Sequence, residues 1–158
     1  MVLGLVFGYV PPVHATSFDL ALGRSAAGPA AGSNIGDATV AFLTGAGLPH
    51  ADGHARLVPI ATLGWIGSHH TGQGRLDRSV WVAGAGLRYR FFRHLFVSEQ
   101  ITATSTRTSA LSSRFEFMTT LGAQVGRLTL MARHMSNAHL IGGGPNHGET
   151  MLLIGIAL

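Results

Sequence analysis

The sequence predicts an all-β protein, an eight-stranded antiparallel transmembrane β-barrel. Three observations support this prediction. Apolar and polar residues alternate with a period of two, only 11% of the 158 residues are charged, and 22 are glycine. Such alternation is typical of strands with two different faces. A soluble domain carries about twice this share of charged residues, and glycine suits turns and tight barrel interiors more than helices.

The alternation is clearest in residues 80–92 and 114–126. In the first stretch, aromatic residues lie towards both ends of the apolar face, as they do in the interfacial girdles of membrane barrels. In the second, one face carries arginine, glutamate and glutamine. The opposite face holds Phe115, Phe117, Thr119, Leu121, Ala123 and Val125. Both stretches therefore predict strands with one lipid-facing side.

Turn signals separate eight stretches of this kind, and a closed barrel would leave none of them as an open edge. Eight strands of roughly nine to eleven residues with their connections account for a chain of this length. The alternative is a soluble lipocalin-like barrel with its apolar faces inward, but the low charge favours the membrane barrel. The predicted strands are 16–24, 37–44, 54–67, 79–92, 95–105, 112–125, 127–138 and 149–158.

The first fifteen residues predict the remnant of a secretory signal. Residues 1–10 are apolar, Pro11 and Pro12 end the run, and small residues follow around Ala15. An apolar core followed by small residues is typical of such signals, although the positively charged start is missing and a first strand is the alternative. We therefore expect a signal remnant at 1–15 and a single barrel domain at 16–158.

The net charge is +4, and every basic side chain other than histidine is arginine. Arginine binds phosphate groups through its planar guanidinium. Because the arginines are scattered and lack interleaved aromatic residues, nucleic acid is not expected as a partner, and anionic lipid headgroups fit better. There is no cysteine, and we interpret the adjacent His69 and His70 as loop residues. No metal ion and no cofactor are predicted.

His134 and Ser136 are candidates for chemistry because both lie on the apolar face of the strand predicted at 127–138. Side chains two apart on a strand share a face and are about 6.5–7 Å apart at Cα. An imidazole can lean across this gap to activate the serine hydroxyl. Glu149 opens the next strand, where antiparallel pairing would bring a carboxylate beside the imidazole. The alternative is an interfacial histidine with a solvated glutamate.

The stretch "RHMSNAHLIGGGPNHGET", residues 133–150, resembles the signature of the PagL-type lipid A 3-O-deacylases. This signature is His-x-Ser-Asn, a loop with Pro-Asn and Gly, and then Glu near the start of the final strand. The similarity covers roughly 79–158. The chain departs from the family in the inserted "GGG", in the last residue Leu158, which is not aromatic, and in the extra loop histidines His139 and His147.

The resemblance implies an eight-stranded barrel in the outer membrane of a Gram-negative bacterium, with an active site on its lipid-facing wall. It implies that Ser136 is the nucleophile, His134 the general base and Glu149 the acid that orients the base. Asn137 and Asn146 would help to build an oxyanion hole. The implied substrate is lipid A, as part of lipopolysaccharide, and the implied reaction removes its 3-O-linked hydroxyacyl chain without a cofactor.

Two other readings stay open from the sequence. One is a non-catalytic eight-stranded outer-membrane barrel with a structural or ligand-binding role, in which the histidine and serine are incidental. The other is a soluble lipid-binding barrel. The sequence also leaves open whether the protein forms a homodimer.

Overall fold

The computed structural model describes residues 15–27, 38–47, 56–70, 75–137 and 148–158. The signal remnant predicted at 1–15 lies outside these ranges apart from its last residue, Ala15. Within the described residues no helix is long and apolar enough to cross a membrane. The strands are β1 (Ala15–Ala27), β2 (Ala38–Gly47), β3 (Leu57–Ile66), β4 (His69–His70), β5 (Arg75–Leu76), β6 (Val80–Arg90), β7 (Leu95–Thr104), β8 (Phe115–Val125), β9 (Leu128–Ser136) and β10 (Glu149–Ala157).

Eight of these strands close into an antiparallel barrel in the order β1-β10-β9-β8-β7-β6-β3-β2, and pairing between β1 and β2 completes the ring. The predicted eight-stranded antiparallel barrel is therefore confirmed, and the predicted strands overlap the barrel strands with ends that differ by a few residues. The small β4–β5 hairpin lies in a segment that the sequence predicted as a connection.

The connections alternate between the two ends of the barrel. At one end, which we call the loop end, β1, β3, β7 and β9 finish and β2, β6, β8 and β10 begin, and the described connection 105–114 lies there. The opposite end, the turn end, carries the short connections 91–94 and 126–127. Strand β9 runs from the turn end to the loop end, so Ser136 lies at the loop end of the wall.

The outer wall of the barrel is apolar. Along β8 the burial alternates, so that Glu116, Met118 and Thr120 are buried inside the barrel while their neighbours face outward. The apolar faces thus form the outside of the barrel, which is the opposite of the soluble lipocalin-like alternative. The large apolar side chains exposed on the outer wall of this barrel include Phe18, Leu20, Leu22, Leu43, Leu57, Leu63, Trp81, Leu87, Ile101, Phe115, Leu121, Val125, Leu128, Leu130, Leu152, Ile154 and Ile156.

The interior is filled by side chains that interlock, and one group is a stack built on Gly122. The ring of Phe96 lies against this glycine on the paired strand, and a Cβ at Gly122 would come within 2.2 Å of the ring. The guanidinium of Arg88 covers the ring at 4.4 Å from its centroid and forms a 3.2 Å ion pair with Asp19. We call this group the Arg88 stack. It ties β1, β6, β7 and β8 together across the lumen.

A second group, the Arg133 stack, repeats the arrangement. The ring of Phe42 lies against Gly64, where a Cβ would come within 2.2 Å of the ring. The guanidinium of Arg133 lies 4.3 Å from the ring centroid, and its Nε donates a hydrogen bond to Thr120 Oγ1 at 2.9 Å. In both stacks the missing glycine side chain makes room for an aromatic ring that carries a cation. The polar interior is therefore packed and cross-linked.

Candidate active site on the outer wall

Polar side chains on the outer wall lie together. Among the strand residues whose side chains the structure describes, those that are polar, non-aromatic and on the outer face form one set, which we call the polar band. It follows neighbouring strands from β2 through β1, β10, β9 and β8 to β7. The members of the polar band are Thr39, Arg24, Thr150, His134, Ser136, Thr119 and Glu99.

The centre of the polar band is a single row across four strands. The register pairs Glu99 with Thr119, Thr119 with His134, and His134 with Thr150. Thr119 Oγ1 donates a hydrogen bond to Glu99 Oε2 at 2.6 Å, and His134 Nδ1 lies 3.0 Å from Thr150 Oγ1. Ser136 follows two residues after His134 on the same face, one step closer to the loop end.

His134 and Ser136 are both half-buried on the outer face of β9, the face that the alternation predicts for them. The imidazole leans towards β10 and not towards the serine. Within the described ranges the Ser136 hydroxyl makes no hydrogen bond, so it is open to a ligand on the wall. In unliganded sites the bond between nucleophile and base is often absent and forms when substrate binds.

Gly148 provides the surface on which the imidazole rests. Its φ is +69°, a left-handed conformation that favours glycine. A Cβ at this position would lie 2.8 Å from Cε1 and 3.0 Å from Nε2 of His134, and 2.7 Å from the carbonyl oxygen of Met135. The backbone N–H of Gly148 donates to the carbonyl of Ala110, which joins the site to the connection 105–114. Glycine is therefore required both by the backbone and by the ring.

Glu149 lies close to His134 but on the other side of the wall. It pairs with Met135, is fully buried, and accepts a hydrogen bond from Ser25 on β1. Glu149 therefore faces the interior while His134 faces outward, and the partner of Nδ1 of His134 is the next residue, Thr150.

The hydroxyl of Thr150 can fix the tautomer that a general base needs. When Nδ1 of His134 carries the proton and donates to Thr150 Oγ1, Nε2 keeps a lone pair that can accept a proton from a serine. A hydroxyl can take this role because it accepts as well as donates.

The two predicted oxyanion residues have different outcomes. Asn137 is fully buried, and its Nδ2 lies 3.4 Å from Ser112 Oγ, so its side chain joins the end of β9 to the connection 105–114 and does not share the face of Ser136. Asn146 lies outside the described residues, as do His139 and His147 in the same loop.

Thr119, Gly148 and Thr150 belong to the site but were not singled out from the sequence. The signal that could have found the two threonines is a polar residue on an otherwise apolar face. Thr119 is a polar residue on the otherwise apolar outer face of β8, and Thr150 lies on the same outer face of β10 as Leu152 and Ile154. Glu99 is likewise a polar residue on the otherwise apolar outer face of β7. Pairing across strands, which single-strand patterns do not reveal, assembles these positions into one row.

Comparison of the chain with protein-family models, with curated proteins and with solved structures finds no match. In the part of the chain that the structure describes, there is also no group of three or more side chains placed to hold a metal ion. The function of this protein is therefore inferred from the geometry of the polar band and from the chemistry of its residues.

Proposed function

We propose that this protein is an outer-membrane esterase that removes the 3-O-linked hydroxyacyl chain of lipid A. Ser136 acts as the nucleophile, and His134 acts as the general base. Thr150 and Glu149 support the base, one through its hydroxyl and the other through its charge. The observation that carries the proposal is that Ser136 and His134 share the apolar outer wall at the loop end of the barrel.

The outer wall supports the membrane location. Large apolar side chains cover it from β1 to β10, and the interior holds the buried Arg88, Arg133, Glu116 and Gln100. In water, such a wall would expose far more contiguous apolar surface than monomeric soluble proteins do. In a bilayer the same wall contacts acyl chains, and closure of the barrel satisfies the backbone hydrogen bonds.

The position of the serine supports a lipid as the substrate. A hydroxyl on the outer wall is reached from within the membrane, so an ester of a neighbouring lipid can approach it sideways without leaving the bilayer. The loop end of a strand lies close to the level where acyl chains meet headgroups. An ester that joins an acyl chain to a sugar headgroup occurs at this level.

The reaction would proceed through an acyl-enzyme. Nε2 of His134 takes the proton of Ser136 as Oγ attacks the ester carbonyl, and the imidazolium then returns the proton to the sugar oxygen that leaves. Water next attacks the acyl-serine, and His134 takes the proton of that water. The imidazolium then returns this proton to Ser136 Oγ as the acyl–oxygen bond breaks, which releases the 3-hydroxy fatty acid and restores the free enzyme. Asn137 and Asn146 stay the predicted oxyanion donors. For this role the side chain of Asn137 would have to leave its buried contact with Ser112 and turn to the face of Ser136.

Mass spectrometry of lipid A from cells that express the chain tests the proposal. The wild type and Ser79→Ala, which changes an exposed serine outside the polar band, are expected to remove one hydroxyacyl group. Ser136→Ala is expected to leave lipid A intact while still folding as a barrel, which heat-dependent gel mobility reports. Release of 3-hydroxy fatty acid by the folded Ser136→Ala protein would refute the proposal.

One observation favours a second candidate, a non-catalytic outer-membrane barrel. The Nδ1 contact of His134 is to the hydroxyl of Thr150, an interaction that a structural histidine also makes. In that case the polar band would serve lipid binding or strand pairing, and lipid A would be unchanged by the wild type as well as by Ser136→Ala. The same mass spectra therefore separate the two candidates.

A further inference from the structure

Glu99 is the one carboxylate on the outer wall among the described strands. It lies in the middle of β7 and is exposed. Its outward neighbours Leu87, Ile101 and Leu121 are all exposed apolar side chains. A charged group on a lipid-facing wall is destabilising, most strongly near the middle of the bilayer, so an ionisable residue there points to a function.

The surroundings of Glu99 within the protein leave most of its hydrogen-bonding capacity unused. Thr119 Oγ1 donates to Oε2 at 2.6 Å, and within the described residues no arginine or histidine forms an ion pair with this carboxylate. An ionised carboxylate has about four positions at which it can accept hydrogen bonds. The threonine occupies one of them and holds the carboxylate towards β8, so the others face the lipid.

Glu99 lies in the same row as His134, with only Thr119 between them. Adjacent strands are about 4.7–4.9 Å apart, so roughly 9–10 Å separate the backbones of β7 and β9. A lipid whose ester carbonyl sits at Ser136 would extend over β8, where Phe117 pairs with the serine. Its groups beyond the ester can then reach Glu99.

We propose that Glu99 and Thr119 form a subsite for a hydroxyl group of the lipid that reacts at Ser136, an inference that rests on the proposed function. Thr119 occupies one acceptor position of the Glu99 carboxylate, and the remaining positions fit a ligand that donates a hydrogen bond, as a hydroxyl does. The hydroxyl has two possible sources in such a lipid, the hydroxyacyl chain and the sugar. A site that hydrogen-bonds a hydroxyl discriminates strongly against a ligand that lacks it.

Equilibrium binding to the Ser136→Ala protein in detergent micelles tests the subsite without turnover. The two probes are glucosamine phosphates whose 3-hydroxyl carries either 3-hydroxytetradecanoate or tetradecanoate. Each is measured against Ser136→Ala alone and combined with Glu99→Gln, which keeps the side-chain shape. Thr119→Val tests the same subsite from the neighbouring strand, and Ile101→Val is the matched control on the same face of β7.

Loss of a hydrogen bond to a charged group is expected to weaken binding about tenfold to a hundredfold. Weakening by Glu99→Gln and Thr119→Val of the hydroxyacyl probe alone identifies the chain hydroxyl as the ligand, and equal weakening of both probes identifies the sugar hydroxyl. Unchanged binding of both probes would overturn the subsite. The proposed function is judged separately by the lipid A mass spectra, because it fails if the wild type leaves lipid A intact or if folded Ser136→Ala still releases the hydroxyacyl chain.

Discussion

The interior stacks and the polar band both contain polar side chains, and β1, β8 and β9 contribute to both. The surroundings of these side chains are opposite in the two regions. Inside the barrel, Arg88 and Arg133 each cover an aromatic ring that fills the space beside a glycine, and both are almost fully buried. Outside, Glu99 and Ser136 stand among exposed leucine, isoleucine and phenylalanine. The interior groups are locked by packing, whereas the outer groups are open.

This contrast separates stability from function. A packed polar interior holds the barrel closed, and its residues tolerate little change of volume. In the proposed membrane location, an open polar group on the apolar wall adds little packing and is unfavourable next to lipid, so we interpret the polar band as a binding surface. Substitutions in the stacks should therefore change stability first, and substitutions in the band should change activity first.

The largest effect is expected for His134→Gln. Loss of the general base should lower kcat for release of hydroxy fatty acid by about a thousandfold or more, because the serine hydroxyl is then not activated. Resistance of the barrel to thermal unfolding should stay close to that of the wild type. Activity assays in detergent together with thermal melts measure both. A His134→Gln protein that unfolds more readily than the wild type but keeps its activity per folded molecule would contradict the assignment of the polar band to activity.

Gly122→Val tests the other side of the comparison. The new side chain would collide with the ring of Phe96, since even a Cβ comes within 2.2 Å. We expect a loss of about 1–3 kcal/mol in the free energy of unfolding, as for other overpacked interiors. Denaturant titration measures the loss, and activity per folded molecule should fall little. Ala123→Val on the outer face of the same strand is the control.

Gly148→Ala is expected to change both stability and activity, because Gly148 has a left-handed backbone and also contacts the imidazole of His134. The added methyl group would push the imidazole of His134 from its place. The alanine would also have to keep the left-handed backbone conformation of Gly148, which is unfavourable by about 1–2 kcal/mol. Because a small displacement of a catalytic group can lower the rate strongly, we expect kcat to fall by about a hundredfold. Kinetics and melts of the same preparation separate the two effects. Unchanged kcat would show that the ring position does not matter.

Thr150→Val gives the smallest effect of the series. It removes the hydroxyl beside Nδ1 of His134 and keeps the shape of the side chain. We expect kcat to fall by about tenfold, since a net hydrogen bond contributes roughly 0.5–1.5 kcal/mol. Thr150→Ser should restore most of the rate. If the valine and serine variants have the same rate, Thr150 does not orient the base.

The barrel was predictable because period-two alternation is a local signal that each strand carries by itself. It located the eight barrel strands and the outward faces of β8 and β9, including His134 and Ser136. Apolar faces that point outward followed from the low charge. The β4–β5 hairpin was missed because its two-residue strands are too short to show a period.

The partners of His134 were less predictable because they depend on pairing between strands. The sequence indicates that Glu149 opens the last strand, but not whether its side chain faces in or out. A shift of one residue exchanges the two faces, and the structure turns Glu149 inward and Thr150 outward. Asn137 likewise turns into the barrel, where it meets a connection that is distant in sequence.

The central claim is that Ser136 is a nucleophile activated by His134 on the lipid-facing wall. A fluorophosphonate with a long alkyl chain, added to the protein in liposomes, tests it most directly because such a probe forms a covalent bond only with an activated serine. Peptide mass spectrometry is expected to find the label on Ser136 in the wild type and a strong loss of label in His134→Gln. Absence of label on Ser136, or equal labelling in both proteins, would contradict the account.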